Sequence, residues 1–179
     1  MNQRVLCLLV DGFEEIETIT PVDILRRAGA EVTMAAIGSF HVTGRSGITI
    51  HADGVLTDVA TDEFEMLLIP GGPGVAALRT DGRAATLARQ FYDQGKLVAA
   101  ICAAPVILQD AGILAGKTFT AHTAVHGELA DVSPELRVAK SGNIITSRGA
   151  GTALEFALEL VSSLFGEEKK KEIADSILA

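Results

Sequence analysis

Apolar residues in this chain gather in short unbroken runs, each closed by glycine, proline or aspartate. Arg4-Val5-Leu6-Cys7-Leu8-Leu9-Val10 ends at Asp11-Gly12, Glu31-Val32-Thr33-Met34-Ala35-Ala36-Ile37 ends at Gly38, and Met66-Leu67-Leu68-Ile69 ends at Pro70-Gly71-Gly72-Pro73-Gly74. A fourth run, Leu97 to Ile101, follows Gln94-Gly95-Lys96. Runs without alternation are what strands covered on both faces require, so all four predict central parallel strands. Between them the spacing turns helical: Glu14 to Gly29 closes on a glycine cap, and Arg79 to Asp93 carries Leu78, Ala85, Leu87, Ala88 and Phe91 on one face. Strand and helix in alternation predict an α/β fold, a mostly parallel sheet with right-handed crossovers and helices on both faces.

The remaining pattern adds smaller pieces. His41 to His51 reads as a β-hairpin embellishing an edge, and Asp58 to Phe64 as a connector. Lys117 to Ala121 predicts a short strand, and Leu136–Lys140 with Asn143–Ser147 predicts a hairpin through Ser141-Gly142. Thr152-Ala153-Leu154-Glu155 has the form of a capping box, opening a helix whose stripe of Leu154, Leu158, Val161 and Phe165 packs on the sheet. The charges of Glu167 to Glu172 read as a solvated helix face. No repeat or linker divides the chain, so residues 1–179 read as one domain.

Composition narrows the function. A chain of 179 residues, 48% hydrophobic with 18 glycines, can bury a full core, and its net charge of −8 argues against nucleic acid or an anionic membrane as partner. Its longest apolar run, Leu97 to Leu108, contains Pro105 and falls short of the ~20 residues of a spanning helix. Val5 to Val10 is too short for a signal peptide, so a cytoplasmic location is expected. Two cysteines make no disulfide framework, and both are expected as thiols.

Candidate chemistry centres on Cys102, at the joint where Leu97–Ile101 gives way to a helix holding Pro105 in its first turn. A sharp strand-to-helix turn exposes a nucleophile, and the dipole and free N–H groups of a helix start favour a thiolate. A packed core cysteine is the competing reading of this stretch alone. Pro21 interrupts the helical pattern four residues after Glu17, so the helix is expected to kink or break there, or to begin at Thr20; Glu17 shares the inward face of Ile24. A carboxylate turned inward beside a strand end is costly unless it has a partner or a task. Glu14 and Glu15 read as ordinary first-turn acids. Gly71-Gly72 can form an anion-binding nest at a strand end, His122 is a candidate base, and Arg45 at the hairpin tip could reach an anionic group. His122 and His126 at i, i+4 with no third ligand make a poor zinc site, and no metal is expected.

Taken in order, Asp11 to Thr18, Pro21-Val22-Asp23 with Arg26 to Gly29, Leu68 to Gly72, Ala99 to Pro105, and Thr146 to Gly149 with Gly151-Thr152 resemble the ThiJ/PfpI superfamily, and within it the DJ-one branch of parkinsonism-associated protein deglycases. The resemblance spans nearly the whole chain. It implies a flavodoxin-like fold, a homodimer and no cofactor. It implies Cys102 as nucleophile, Glu17 as the buried acid that hydrogen-bonds to it, Gly72 and Ala103 as amides lining an oxyanion site beside Gly71, and His122 near the sulfur. Arg45 and Arg27 match basic residues bordering the pocket, one of them offered by a partner subunit. Ala103 departs from the peptidase-like branch, which has His there, so protease activity is not expected. Ala150 replaces a frequent Pro, and His51 stands where relatives can carry an interface cysteine.

The function this implies is conversion of small dicarbonyls, methylglyoxal to lactate in the manner of a glyoxalase III, or repair of early glycation adducts on protein. The alternative is a redox sensor or chaperone whose Cys102 is oxidised to a sulfinate. A cysteine peptidase is a weaker alternative, as is a glutamine amidotransferase, suggested by His126-Gly127-Glu128.

Overall fold

The computed structural model describes residues 3–179. In chain order the elements are β1 (Arg4–Leu9), α1 (Glu15–Arg27), β2 (Glu31–Ala36), β3 (His41–Thr43), β4 (Thr49–His51), β5 (Gly54–Val55), β6 (Met66–Ile69), α2 (Val75–Asp81), α3 (Arg83–Asp93), β7 (Leu97–Ile101), α4 (Pro105–Asp110), β8 (Val138–Ser141), β9 (Ile144–Ser147), α5 (Ala153–Phe165) and α6 (Glu167–Ser176). Seven strands form one sheet in the order β5-β2-β1-β6-β7-β9-β8, parallel throughout except where β8 returns antiparallel to β9. The protein is a flavodoxin-like α/β sandwich.

The unbroken apolar runs are explained by two cores. Successive strand residues point to opposite faces, so Val5, Cys7 and Leu9 of β1, Met66 and Leu68 of β6, and Ala99 and Ile101 of β7 meet Val22, Leu25, Phe156 and Leu160 of α1 and α5. Leu6, Leu8, Leu67, Ile69, Val98 and Ala100 meet Leu78, Leu87, Phe91 and Ile107 of α2, α3 and α4 on the other face. With β2 on one side of β1 and β6 on the other, chain order reverses at β1/β6, and the crevice at the carboxyl ends of these strands is where such sheets place ligands.

Several sequence expectations change. The helix expected over Arg79–Asp93 starts earlier and is two helices, split at Gly82 in a left-handed conformation (φ 81°). Lys117–Ala121 is not a sheet strand: both edges of β9 are taken by β7 and β8, so this segment has no ladder and is held by single bonds, Thr146 Oγ1 accepting the Thr120 N–H and Phe119 O accepting the Ser133 N–H, both at 2.9 Å. Pro21 does not end α1, which runs continuously to Arg27 while the Glu17 carbonyl goes without the donor four residues on. Glu17 and Ile24 do share the buried face, 1% and 3% exposed. The face of α5 that packs is Ala153, Phe156, Ala157, Leu160 and Val161, with Leu154 turned outward, because a helix apolar on most sides does not announce its inner face by period. Thr152 does not cap α5 with its hydroxyl, which bonds Gly149 and Ser147 instead, and Glu155 is paired with Arg137. The β3/β4 hairpin is no edge ornament. It is clamped to the loop after β1 by Gly12 N–H to Thr43 O and Arg45 N–H to Phe13 O, both 2.8 Å.

Candidate active site

Three strand ends build the site. β7 stops at Ile101, and Cys102 takes a left-handed backbone (φ 66°) that few non-glycine residues adopt, strain of the kind stored at functional turns. The turn is held on both sides: the Cys102 N–H donates to Ser147 O at 2.9 Å and its carbonyl accepts the His122 N–H at 2.8 Å. Pro105 occupies the first position of α4, where a missing N–H costs nothing. The sulfur is therefore aimed into the crevice and is partly exposed.

The loop after β6 lies directly against it. Gly71 has no room for a side chain, since an added Cβ would come within 2.6 Å of Cys102 Cβ and would strike Glu17 Oε2. Gly72 has a left-handed backbone (φ 100°) and would collide with Gly12 O and Glu14 N. Gly71 O accepts the Glu14 N–H at 3.0 Å, tying this loop to the start of α1. Glu17, one turn into α1, thereby faces Gly71 and Cys102 from the third strand end.

The electrostatics of the pair follow from this crowding. Burial pushes the Glu17 carboxyl up to about 7, with Glu14 adding in the same direction, against the Cys102 thiol and the N–H groups of Gly71 and Ala150. Burial and then the Glu17 charge push the Cys102 thiol up to about 12, against the N–H groups of Gly72 and Ala103. A charge on either group discourages ionisation of the other, so the pair gives up its first proton only near 7 and holds the second far into the alkaline range. The start of α4 does not by itself make a thiolate: the helix has only six residues, and burial with the Glu17 charge pushes the thiol up rather than down. Glu17 Oε2 is buried with no hydrogen-bond partner of good geometry, a cost that a carboxylic acid donating to sulfur removes. The Gly72 and Ala103 N–H groups point at the Cys102 sulfur.

His122 joins this group through the Gly149 loop. A Cβ on Gly149 would lie 3.4 Å from His122 Cδ2, 3.6 Å from Glu17 Oε1 and 3.9 Å from Cys102 Sγ. His122 Nδ1 accepts the Ala124 N–H at 3.1 Å, so its ring proton sits on Nε2, the free nitrogen, which is a donor in this arrangement. A hollow of about 330 Å³ opens beside it, lined by His122, Arg148 and Gly149 to Thr152, and a second of about 310 Å³, reaching His126 and Pro134, shares His122 and Arg148 with it. An apolar hollow of about 250 Å³ between Leu56 and Leu87 lies on the α3 face, away from the sulfur.

Not every expected residue converges. Arg27 is ion-paired with Asp23 at 2.8 Å and lies ten residues beyond Glu17 on α1, about 15 Å along the axis, so this chain does not bring it to its own site. Arg45 is exposed over the β1–α1 loop, and its guanidinium has no partner among the described residues. His126 spends Nε2 on Ala121 O, and no cluster of three metal-ligating side chains occurs among the described residues. Glu128, the acid of the amidotransferase-like triplet, is bound by Arg79 at 2.7 Å. Sequence reasoning missed Glu14, Gly149 and Arg148 as parts of the site, while Ala150, singled out there as a replaced Pro, does lie beside Glu17. The Ser147-Arg148-Gly149 string was visible, but nothing in it shows that β9 ends beside β7.

Comparison with known proteins gives the family. The model of the DJ-1/PfpI family matches residues 3–163. Protein dj-1beta of Drosophila melanogaster is 39% identical over 99% of this chain and 98% of its own length. A deglycase of Thermococcus kodakarensis is 32% identical over 90% of this chain and 99% of its own. The crystal structure of Drosophila melanogaster DJ-1beta superposes with a TM-score of 0.95 at 38% identity, covering 100% of this chain and 99% of the other. By sequence and by fold, the chain belongs to the DJ-1/PfpI family.

Proposed function

We propose that this protein is a cofactor-independent cysteine enzyme acting on reactive dicarbonyls, or on the early adducts these form with protein. The observation that carries the reading is a partly exposed Cys102 on a strained turn, packed against a buried acid pushed up to about 7, with two amides aimed at the sulfur. The deglycase name of an archaeal relative supports the same class.

With methylglyoxal, Cys102 thiolate adds to the aldehyde carbon while the new alkoxide, held by the Gly72 and Ala103 N–H groups, takes the Glu17 proton. The Glu17 carboxylate then removes the hydrogen of that carbon to give an enediol, and a proton delivered to the neighbouring carbon leaves a lactoyl thioester on Cys102. Water hydrolyses it to lactate and restores the thiol. The balance is methylglyoxal plus water to lactate, an internal redox exchange that needs no outside oxidant. His122 Nε2–H is a donor to the substrate carbonyl. Lactate formation followed by NMR, without glutathione or metal, tests this: wild type converts methylglyoxal, while Cys102→Ser and Glu17→Gln do not. Equal conversion by wild type and Cys102→Ser sinks the reading.

Oxidation of Cys102 is the second reading. Cys7 is fully buried in β1 and held at about 12 by burial, so no resolving thiol is available and a sulfenate would proceed to sulfinate.

The partner expected is a second copy. Ile16 and Ile19 on the outer face of α1 and Ile48 on the hairpin are 52%, 42% and 56% exposed, beside the unpaired Arg45 and the buried, unpartnered Glu15 Oε2. Glu15 Oε1 accepts the Ser46 N–H at 2.8 Å and so makes α1 and the hairpin one surface. An apolar patch with one unsatisfied carboxylate oxygen and a free guanidinium suits a two-fold, self-complementary contact.

A further inference from the structure

Glu14 has no task in the chemistry described, yet it is only 8% exposed and touches both partners of Cys102. Its carboxylate Oε2 accepts the Glu17 N–H at 2.8 Å, capping α1 at the residue that carries the acid. Its own N–H donates to Gly71 O at 3.0 Å, and Gly71 is the residue wedged between Glu17 Oε2 and Cys102. Its carbonyl accepts from Thr18, through N–H at 3.1 Å and Oγ1 at 2.8 Å. A helix start needs only one capping acceptor, and Ser, Thr, Asp or Asn serve it best. A buried Glu there brings a negative charge next to another acid, an arrangement that discourages ionisation of its neighbour.

We propose that Glu14 is a positioning residue for the Cys102–Glu17 pair: it fixes Glu17 and Gly71 against the sulfur, and its charge opposes ionisation of Glu17, biasing the pair's shared negative charge towards Cys102. The inference rests on the reading of these two residues as the reacting pair. The titratable groups facing Glu17 are Cys102 from the β7–α4 turn, His122 across Gly149 and Glu14 itself, while Arg148 of the β9–α5 loop is bonded to Pro134 O. Glu15, next on α1, is turned to the hairpin, and the Gly71–Gly74 loop brings no charge. Among these, Glu14 is the acid in direct contact with the Glu17 backbone.

The test is the pH profile of Cys102 alkylation by iodoacetamide, which needs no substrate turnover. Glu14→Gln keeps an oxygen to accept the Glu17 N–H but removes the charge. Its profile is expected to shift its midpoint down by about half to one pH unit and to lose several-fold in plateau rate near neutrality, with melting temperature little changed. Glu14→Asp keeps the charge on a shorter arm and is expected to hold the wild-type midpoint, even where it melts earlier. A Glu14→Gln midpoint equal to wild type overturns the proposal, and should that variant fail to fold, a Glu14→Asp midpoint displaced downward overturns it instead. A Glu17→Gln profile identical to wild type would refute the pair itself. Absence of methylglyoxal turnover with an intact Glu14→Gln shift would refute only the dicarbonyl reading.

Discussion

Replacing Gly71 by alanine tests whether Glu17, Cys102 and the β6 loop are a single close-packed unit. The backbone conformation of Gly71 is one that alanine adopts freely, so the perturbation is steric alone. The new Cβ would sit 2.6 Å from Cys102 Cβ and 2.9 Å from Ile101 O, besides meeting Glu17 Oε2. Contacts to a turn and a backbone carbonyl cannot be relieved by swinging a flexible side chain, and the sulfur must retreat by close to 1 Å to regain ordinary contact. Overpacking of this kind costs about 1–3 kcal/mol, or roughly 2–12 °C in melting temperature for a chain of this size. A displacement near 1 Å at the reacting atoms costs on the order of 100-fold in rate. Urea denaturation measures the first and Cys102 alkylation the second. Gly127→Ala is the control, at an ordinary φ with open space around it, and is expected within about 0.5 kcal/mol of wild type. A Gly71→Ala protein with wild-type stability and wild-type alkylation would refute the close contact argued above.

Three further outcomes are expected. Because folding raises the Glu17 carboxyl from 4.5 to about 7, the native state binds the extra proton between those values, so stability falls as pH rises through that window. Glu17→Gln should match wild type near pH 4 and exceed it by up to about 3 kcal/mol at pH 8, and parallel stability curves at both pH values would contradict this. Ile19→Asp, on the outer face of α1, should convert a dimer to a monomer in light scattering with the far-ultraviolet spectrum unchanged; a monomeric wild type would remove the dimer proposal. In the native protein one thiol, Cys102, should react with a bulky disulfide reagent, and Cys7 should react only after unfolding, which electrospray mass spectrometry reads directly.

Much of this molecule was legible along the chain because the relevant physics is local. Strands covered on both faces must be apolar at every position, so β1, β2, β6 and β7 were visible as runs, and the turn at Cys102 was visible where such a run meets Pro105. Glu17 was singled out because a carboxylate on the inner face of a helix demands a reason. The five motifs carried the family and with it the fold.

The tertiary structure decided everything that depends on which elements become neighbours. Only the strand order brings the ends of β1, β6, β7 and β9 together, so Gly149, Ala150 and Arg148 join the site although 46 or more residues separate them from Cys102 in the chain. The same order filled both edges of β9 and left Lys117–Ala121 without a ladder. Glu14 looked like any first-turn acid until the β6 loop packed on its N–H, and the hairpin looked peripheral until it bonded to the β1–α1 loop. How charge divides within the pair was likewise set by packing, since a helix start suggests a stabilised thiolate while burial opposes charge on either group. That balance depends on which atoms exclude water and which N–H groups remain pointed at the sulfur, and both are set by packing.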